Sequence, residues 1–150
     1  MNSKLIDQNP KTLAIVFDTG DEVTAGLKKV AAEYNLAASH FTAIGAFQEV
    51  TLGFFDLERK DYKTINLREQ MEVLSLIGSI SLKDADPQLH AHIVVGLADA
   101  TTRGGHLIRG IVRPTLEIVL TESPVHLHRK FDPKVGLALI NLKDPPADVA

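Results

Sequence analysis

The chain has 150 residues, a formal net charge of −3 and no cysteine, and 45% of its residues are hydrophobic. This length is typical of one domain, so we expect a single domain over residues 1–150, with its core at about 12–140. The lack of cysteine excludes disulfides and thiolate metal sites, and the mixed charge excludes a general positive field that would attract nucleic acid.

The amino-terminal residues do not resemble a secretory signal. The stretch MNSKLIDQNPKTL has no apolar core and no small-residue cleavage site. No apolar run in the chain reaches the roughly 20 residues that a membrane span needs. We therefore expect a soluble, cytoplasmic protein without a membrane partner.

One long helix is predicted after a first strand. TLAIVFD (12–18) is rich in branched and aromatic residues, which favour a strand. Helical spacing follows it, and Thr19 and Glu22 fit the first and last positions of a capping box. The apolar residues that fall on one face of this helix are Val23, Leu27, Val30, Ala31 and Tyr34.

From about residue 39 onward, β-prone segments dominate. Examples are QMEVLSLIGSISL, LHAHIVVGLA and TLEIVLTE, and in the tail Asp132-Pro133 favours a turn between two short extended pieces. The predicted fold class is α+β, with a central antiparallel β-sheet of about six or more strands and one principal helix.

These strands carry more apolar surface than one helix can cover. The segments EVLSLIGSISL and LEIVLT illustrate the excess. Two explanations remain open at this point: further loops cover the sheet, or other copies of the chain cover it in a homo-oligomer.

Three of the six histidines lie in LHAHIVVGLADATTRGGHLIRG (89–110). Residues two apart in a strand point to the same side, roughly 6.6 Å apart, so His90 and His92 project together. Gly104-Gly105 is interpreted as the turn of a hairpin whose second strand begins at His106. If His92 pairs with or near His106, all three rings share a face, whereas a slip of one residue separates them.

Three imidazoles with a fourth position open to water or a ligand suit a divalent metal, with zinc as the default. The alternative is that these histidines are partly buried polar groups satisfied by neighbours or water. His126 and His128 form a second His-x-His, interpreted as surface residues because no third ligand lies nearby. His40 is interpreted as structural.

The ordered segments TGDEV, AIGAFQEVTLGFFD, MEVLSLIGSISL, LHAHIVVGLADATTRGGHLIRGIV and LEIVLTE resemble the plant and prokaryote conserved (PPC) domain, also called DUF296. The resemblance covers about residues 12–140. Its most specific part is Glu72, His90-x-His92 and Gly104-Gly105-His106. It implies an α+β fold assembled as a homotrimer, and it implies that His90, His92 and His106 bind a divalent metal, usually zinc.

Two features of plant members are missing. Their AT-hook, an Arg-Gly-Arg-Pro element, has no counterpart, and IRGIVRP (108–114) resembles it only superficially. In their protein-contact segment, Gln70 and Met71 stand here where the plant pattern has Arg and Phe. The resemblance is therefore to the prokaryotic stand-alone type.

Three functions follow as alternatives. The first is a trimeric metal-binding protein whose site binds a small ligand, completes the fold or has a regulatory role. The second is DNA binding through a local basic patch, although solvated surface arginines explain the same residues. The residues of that patch would be Arg103, Arg109, Arg113, Arg129 and Lys130.

The third alternative is a metal-dependent enzyme. Glu72 is the candidate general base, because a carboxylate in a β-prone run is costly to bury without a purpose or a partner. It could instead orient a ligand histidine or accept a hydrogen bond at a subunit interface. The chain has no glycine-rich phosphate loop, Gly-x-Ser-x-Gly, Ser-x-x-Lys or His-Glu-x-x-His motif.

Overall fold

The structure is a computed structural model that describes residues 1–123 and 127–142. Within these ranges it contains one helix and nine strands, which confirms the predicted α+β class. None of the described helical structure has the length and apolar character needed to span a membrane. In chain order the elements are β1 Asn2–Gln8, β2 Lys11–Asp18, α1 Val23–Glu33, β3 Ala38–Asp56, β4 Asp61–Leu67, β5 Met71–Lys83, β6 Asp86–Gly96, β7 Thr102–Glu122, β8 Arg129–Asp132 and β9 Leu137–Ile140.

Seven strands form one antiparallel sheet in the order β1-β2-β7-β6-β5-β3-β4. Strand β7 also pairs with β3, so that β3, β5, β6 and β7 form a closed ring of paired strands. The register of β3 shifts beside Gly45 in its pairing with both β5 and β7. Such irregularities bend a strand, which lets the long β3 reach both partners.

The start of α1 differs from the predicted capping box. Glu22 is itself the N-cap, and its carboxylate accepts hydrogen bonds from the amides of Thr24 (2.9 Å) and Ala25 (2.8 Å). Thr19 instead donates its hydroxyl hydrogen to the carbonyl of Pro114 (3.1 Å). The longer Glu side chain reaches the orphan amides of the first turn, so no partner at position 19 is needed.

The core lies between α1 and the inner face of the sheet. Alternation along β2 buries Leu13, Ile15 and Phe17 completely, and Leu27 and Val30 of α1 are equally buried. The prediction of the helix's apolar face is confirmed, with Tyr34 at the C-cap packed against the edge of this cluster. Full burial of each such side chain contributes about 1.5–3 kcal/mol.

The outer face of the same sheet is apolar and uncovered. Its exposed side chains border a shallow depression of about 480 Å³, and no loop of the described residues lies over them. Between 39% and 64% of each side chain is exposed. The exposed apolar residues of this outer face are Val16, Ile44, Leu74, Ile77 and Val119.

The tail folds back onto the sheet as the hairpin β8–β9. The predicted turn after Asp132 is confirmed: its carboxylate accepts from the amide of Lys134 (2.8 Å) and its carbonyl from the amide of Gly136 (2.7 Å). A bridge between Leu82 and His128 joins the start of the tail to β5. This placement brings the first residue of β8, Arg129, next to the strands that carry the histidines.

Candidate metal centre

Strands β6 and β7 form the hairpin that carries the three predicted ligand residues. In the ladder, His92 is the direct partner of His106. His90 lies two residues before His92 on the same strand and points to the same side. The register required by the sequence-based hypothesis is therefore present.

The turn of this hairpin lies at residues 97–101 and not at Gly104-Gly105, so that part of the prediction was wrong. The Ala100 amide donates to the Leu97 carbonyl and the Leu97 amide to the Thr101 carbonyl, both at 2.9 Å. Ala100 adopts a positive φ of 63°. Asp99 closes the turn by accepting from the Thr101 amide (2.9 Å) and hydroxyl (2.6 Å).

The two glycines allow β7 to lie close to its neighbouring strands, β6 and β3. Gly104 and Gly105 pair with Val94 and Ile93 inside the ladder. A Cβ on Gly104 would lie 2.9 Å from the carbonyl oxygen of Ile93, and one on Gly105 would lie 2.9 Å from that of Gly53. Neither position has room for a side chain. Glycine at both positions therefore lets the strand that carries His106 lie close to its neighbours.

The three imidazoles converge. One ligand nitrogen from each of His90, His92 and His106 lies within 4.8 Å of the other two. The Nε2 atoms of His90 and His92 are 3.3 Å apart. This matches the roughly 3.4 Å that separates two nitrogens on a tetrahedral zinc ion with bonds of about 2.0–2.1 Å.

The surroundings of two of the three rings, His90 and His106, favour the neutral form that binds metal. Burial, followed by the charges of His90 and His92, lowers the pKa of His106 to about 4. Burial, then the charge of Arg129 and then that of His92, lowers the pKa of His90. The buried Nδ1 of His106 has no hydrogen-bond partner in the described part of the chain. A neutral ring with an unpaired nitrogen, as His106 has, fits metal coordination.

Two further residues shape this centre, and sequence reasoning did not assign either to it. The ring of Tyr62, on β4, stacks on His106 with centroids 4.8 Å apart. Gly53 leaves the necessary space, since a Cβ there would lie 2.7 Å from the Tyr62 ring. Arg129, noted in the sequence only as a basic residue of the tail, places Nη2 3.3 Å from Nδ1 of His90.

A cavity of about 160 Å³ opens beside the histidines, between β6, β7 and the hairpin β8–β9. Glu72 does not line it. That residue pairs with Gly96, four positions along β6 from His92, or about 13 Å at the rise of a strand. The residues that line the cavity are Tyr62, Gln88, Leu89, His90, His106, Arg129, Leu137, Ala138 and Leu139.

The remaining histidines lie apart from this centre. His40 is exposed on β3, between Ser79 and Thr121 of the adjacent strands. His128, predicted at the surface, is half-buried against β5. His126 lies outside the described residues.

The predicted basic patch is dispersed. Arg109 forms an ion pair with Glu49 (2.7 Å), and Arg103 donates to the carbonyl of its own neighbour Thr102. Arg129 faces the cavity. Arg113 and Lys130 are exposed, on β7 and β8.

A family model described as the Plants and Prokaryotes Conserved (PCC) domain matches residues 6–124. Among proteins with curated descriptions, none matches the chain significantly.

Several solved structures resemble this one along nearly its whole length. A protein from Bacteroides thetaiotaomicron, described as a candidate DNA-binding protein, is 29% identical with a TM-score of 0.90, covering 95% of this chain and 98% of that one. A plant- and prokaryote-conserved protein from Pyrococcus horikoshii is 34% identical with a TM-score of 0.82, covering 87% and 91%. A protein from Archaeoglobus fulgidus, described as metal-containing, is 34% identical with a TM-score of 0.80, covering 87% and 93%.

Proposed function

Because the chain belongs to the Plants and Prokaryotes Conserved (PCC) domain family, we propose that it is a homotrimeric metal-binding protein of this family. In this proposal His90, His92 and His106 hold one zinc ion per chain. A coordination position that the protein leaves open receives a small ligand. The observation that carries the proposal is the convergence of three ligand nitrogens within 4.8 Å of one another.

The donor set favours zinc over harder cations. Imidazole nitrogen suits zinc, copper, nickel and iron, whereas magnesium and calcium prefer oxygen ligands. Among the described residues, the group that could hold a metal ion consists of the three histidines and includes no carboxylate. The description of the related Archaeoglobus fulgidus protein as metal-containing supports the presence of a metal ion at this site.

The outer apolar face supports the oligomeric part of the proposal. Its five side chains are exposed on a continuous surface of the sheet, away from α1. A second and third copy of the chain would remove this apolar surface from water. His92 borders the surface through a shallow recess that also includes Ile77 and Val94, so subunit packing would enclose the metal centre from that side.

Metal analysis of untagged protein, purified without chelator or nickel resin, tests the proposal. We expect about one zinc per wild-type chain and a loss of at least tenfold in affinity for His92→Ala, since one of the protein ligands is removed. His40→Ala is the matched control, because His40 is exposed and lies outside the cluster. Low zinc content that His92→Ala leaves unchanged would refute the metal site.

DNA binding is the second candidate function, because the related Bacteroides thetaiotaomicron protein carries that description. The dispersed arginines give it little support in this chain. A mobility-shift assay at low salt tests it, since phosphate contacts should produce affinity that falls steeply with added salt. Absence of a shift even at low salt would rule against it.

The candidate base of the enzymatic alternative, Glu72, lies away from the histidines. Glu72 is exposed and lies about 13 Å along the sheet from His92 at strand spacing. Catalysis with Glu72 as the base would therefore need this carboxylate to arrive from another copy of the chain. We propose ligand binding as the primary role of the site.

A further inference from the structure

The cavity beside the histidines has a size suited to a small molecule. Its volume is about 160 Å³. Sites for drug-sized ligands usually occupy about 300–1,000 Å³. A cavity of this volume suits a molecule of few atoms.

Arg129 supplies a fixed positive charge to this cavity. Its Nε donates to Ser81 Oγ (2.6 Å) and its Nη1 to the Ala138 carbonyl (3.0 Å), while Nη2 lies near Ser79 Oγ (3.4 Å) and His90 Nδ1 (3.3 Å). A guanidinium has five N–H groups, so these four contacts leave one N–H to donate. The side chain is thus held in position with a donor to spare.

Among the described residues, no negative charge in the cavity balances Arg129. The titratable groups that line it with Arg129 are His90, His106 and Tyr62. Burial raises the pKa of Tyr62, so its hydroxyl stays neutral at neutral pH. No carboxylate in the described residues forms an ion pair with Arg129. A half-buried cation without a counter-charge favours an anionic ligand.

The apolar part of the cavity lining favours an organic anion. Leu89, Leu137 and Leu139 line it and offer no side-chain hydrogen bonds. Inorganic phosphate needs donors around all its oxygens, whereas a small carboxylate presents one charged end and an organic body. The planar guanidinium suits the carboxylate end.

The contact between Arg129 and His90 links the cavity to the metal centre. Because a guanidinium only donates, Nδ1 of His90 must be the acceptor in their contact, and the neutral ring then carries its proton on Nε2. In that tautomer Nε2 of His90 donates to Nε2 of His92, 3.3 Å away. A metal ion held by Nε2 would require the ring proton to move to Nδ1, and Arg129 would then lose this acceptor. A second N–H of Arg129 would become available to a ligand.

We propose that this cavity binds a small carboxylate through Arg129, and that His90 couples carboxylate binding to metal binding. The inference rests on the proposed metal site and names the class of ligand that the site receives. Arg129 contacts the ligand and orients the His90 ring. The metal ion supplies a second positive charge beside the same cavity.

Isothermal titration calorimetry with pyruvate as the probe carboxylate tests the proposal. We expect saturable binding to zinc-loaded wild-type protein, weaker binding to chelator-treated protein, and little binding of the neutral analogue pyruvamide. Arg129→Gln should weaken pyruvate binding at least about tenfold, the loss typical of a hydrogen bond to a charged group. Arg113→Gln is the matched control, since it removes the same charge from an exposed position outside the cavity.

Three outcomes overturn the carboxylate assignment. They are equal affinity for pyruvate and pyruvamide, unchanged affinity in Arg129→Gln, and binding of inorganic phosphate without binding of pyruvate. The first and third comparisons use only wild-type protein, so they hold even if Arg129→Gln does not fold. Equal pyruvate affinity with and without zinc overturns the coupling through His90.

The measurements distinguish failure of the proposed metal site from failure of the carboxylate site. If wild-type protein binds no zinc, the proposed function and the coupling are both refuted. Pyruvate binding to that metal-free protein, weakened by Arg129→Gln and not by Arg113→Gln, would still support the carboxylate site. The carboxylate site and the metal site can therefore fail independently, whereas the coupling through His90 fails with the metal site.

Discussion

His92 and His106 are direct partners in the β6–β7 ladder. Direct partners in a sheet point to the same face, so this pair determines that both imidazoles lie on one side. His90 joins them because it lies two residues from His92 on the same strand. A shift of one residue in this register would turn His106 toward the core and separate the ligands.

The close approach of β6 and β7 should depend on Gly104. We predict that Gly104→Ala lowers the free energy of unfolding by about 1–3 kcal/mol, since an added Cβ meets the Ile93 carbonyl and forces the strands apart. Zinc affinity should fall with it, because the displaced strand carries His106. Urea unfolding and competition with a chromophoric zinc chelator measure the two effects.

Gly96→Ala is the matched control for this substitution. The three atoms nearest to its added Cβ would all belong to the Leu74 side chain, at 3.1 Å or more, and that side chain can move. Equal effects of the two substitutions on both measurements would show that the strands tolerate a side chain at Gly104.

The metal-free protein should lose stability in mild acid. The pKa of His106 is about 4 in the folded protein, against 6.5 for the unperturbed group, so the unfolded chain binds this proton at higher pH. The contribution of His106 to stability is complete above about pH 6.5 and is lost as the pH falls toward about 4. Urea unfolding of chelator-treated protein at pH 7.5 and 4.5 measures the loss.

His106→Gln should reduce this dependence of stability on pH, whatever its effect on the absolute stability. His40→Gln is the control, since His40 is exposed on another strand. The same pH dependence in wild type and His106→Gln would assign the acid sensitivity to other groups.

The outer apolar face should hold the subunits together. We predict that Ile44→Glu converts trimers into monomers, because Ile44 is 64% exposed at this face and a buried, unpaired carboxylate is costly. Size-exclusion chromatography with light scattering measures the mass. Ile65→Glu introduces the same charge at an exposed position on β4 and should leave the trimer intact. A wild-type protein that is monomeric at micromolar concentration would contradict the prediction.

The N-cap of α1 should contribute measurably to stability. Glu22→Ala removes the acceptor for the Thr24 and Ala25 amides and for the Gly110 amide at 3.3 Å. We predict a cost of about 1–2 kcal/mol in the free energy of unfolding, measured with urea. Glu33→Ala, at the exposed end of the same helix, should change it by less than about 0.5 kcal/mol. Equal losses in the free energy of unfolding for Glu22→Ala and Glu33→Ala would show that capping by Glu22 does not stabilise the protein.

The sequence by itself determined the features that depend on local periodicity. Helical spacing after residue 22 predicted the buried face of α1, and the two-residue period of a strand placed His90 and His92 on one side. The resemblance carried by Glu72, the histidines and the double glycine identified the family, which the match over residues 6–124 confirms.

Only the tertiary structure decided what depends on contacts between distant segments. Glycines favour turns and close strand approach alike, so the pair Gly104-Gly105 could not reveal that the turn lies at residues 97–101. Tyr62 and Arg129 contact the histidines from strands that are remote in sequence. No local sequence pattern predicts these contacts. Pairing between strands determined the register, the cavity and its charge, because side chains far apart in sequence become neighbours only when the sheet closes.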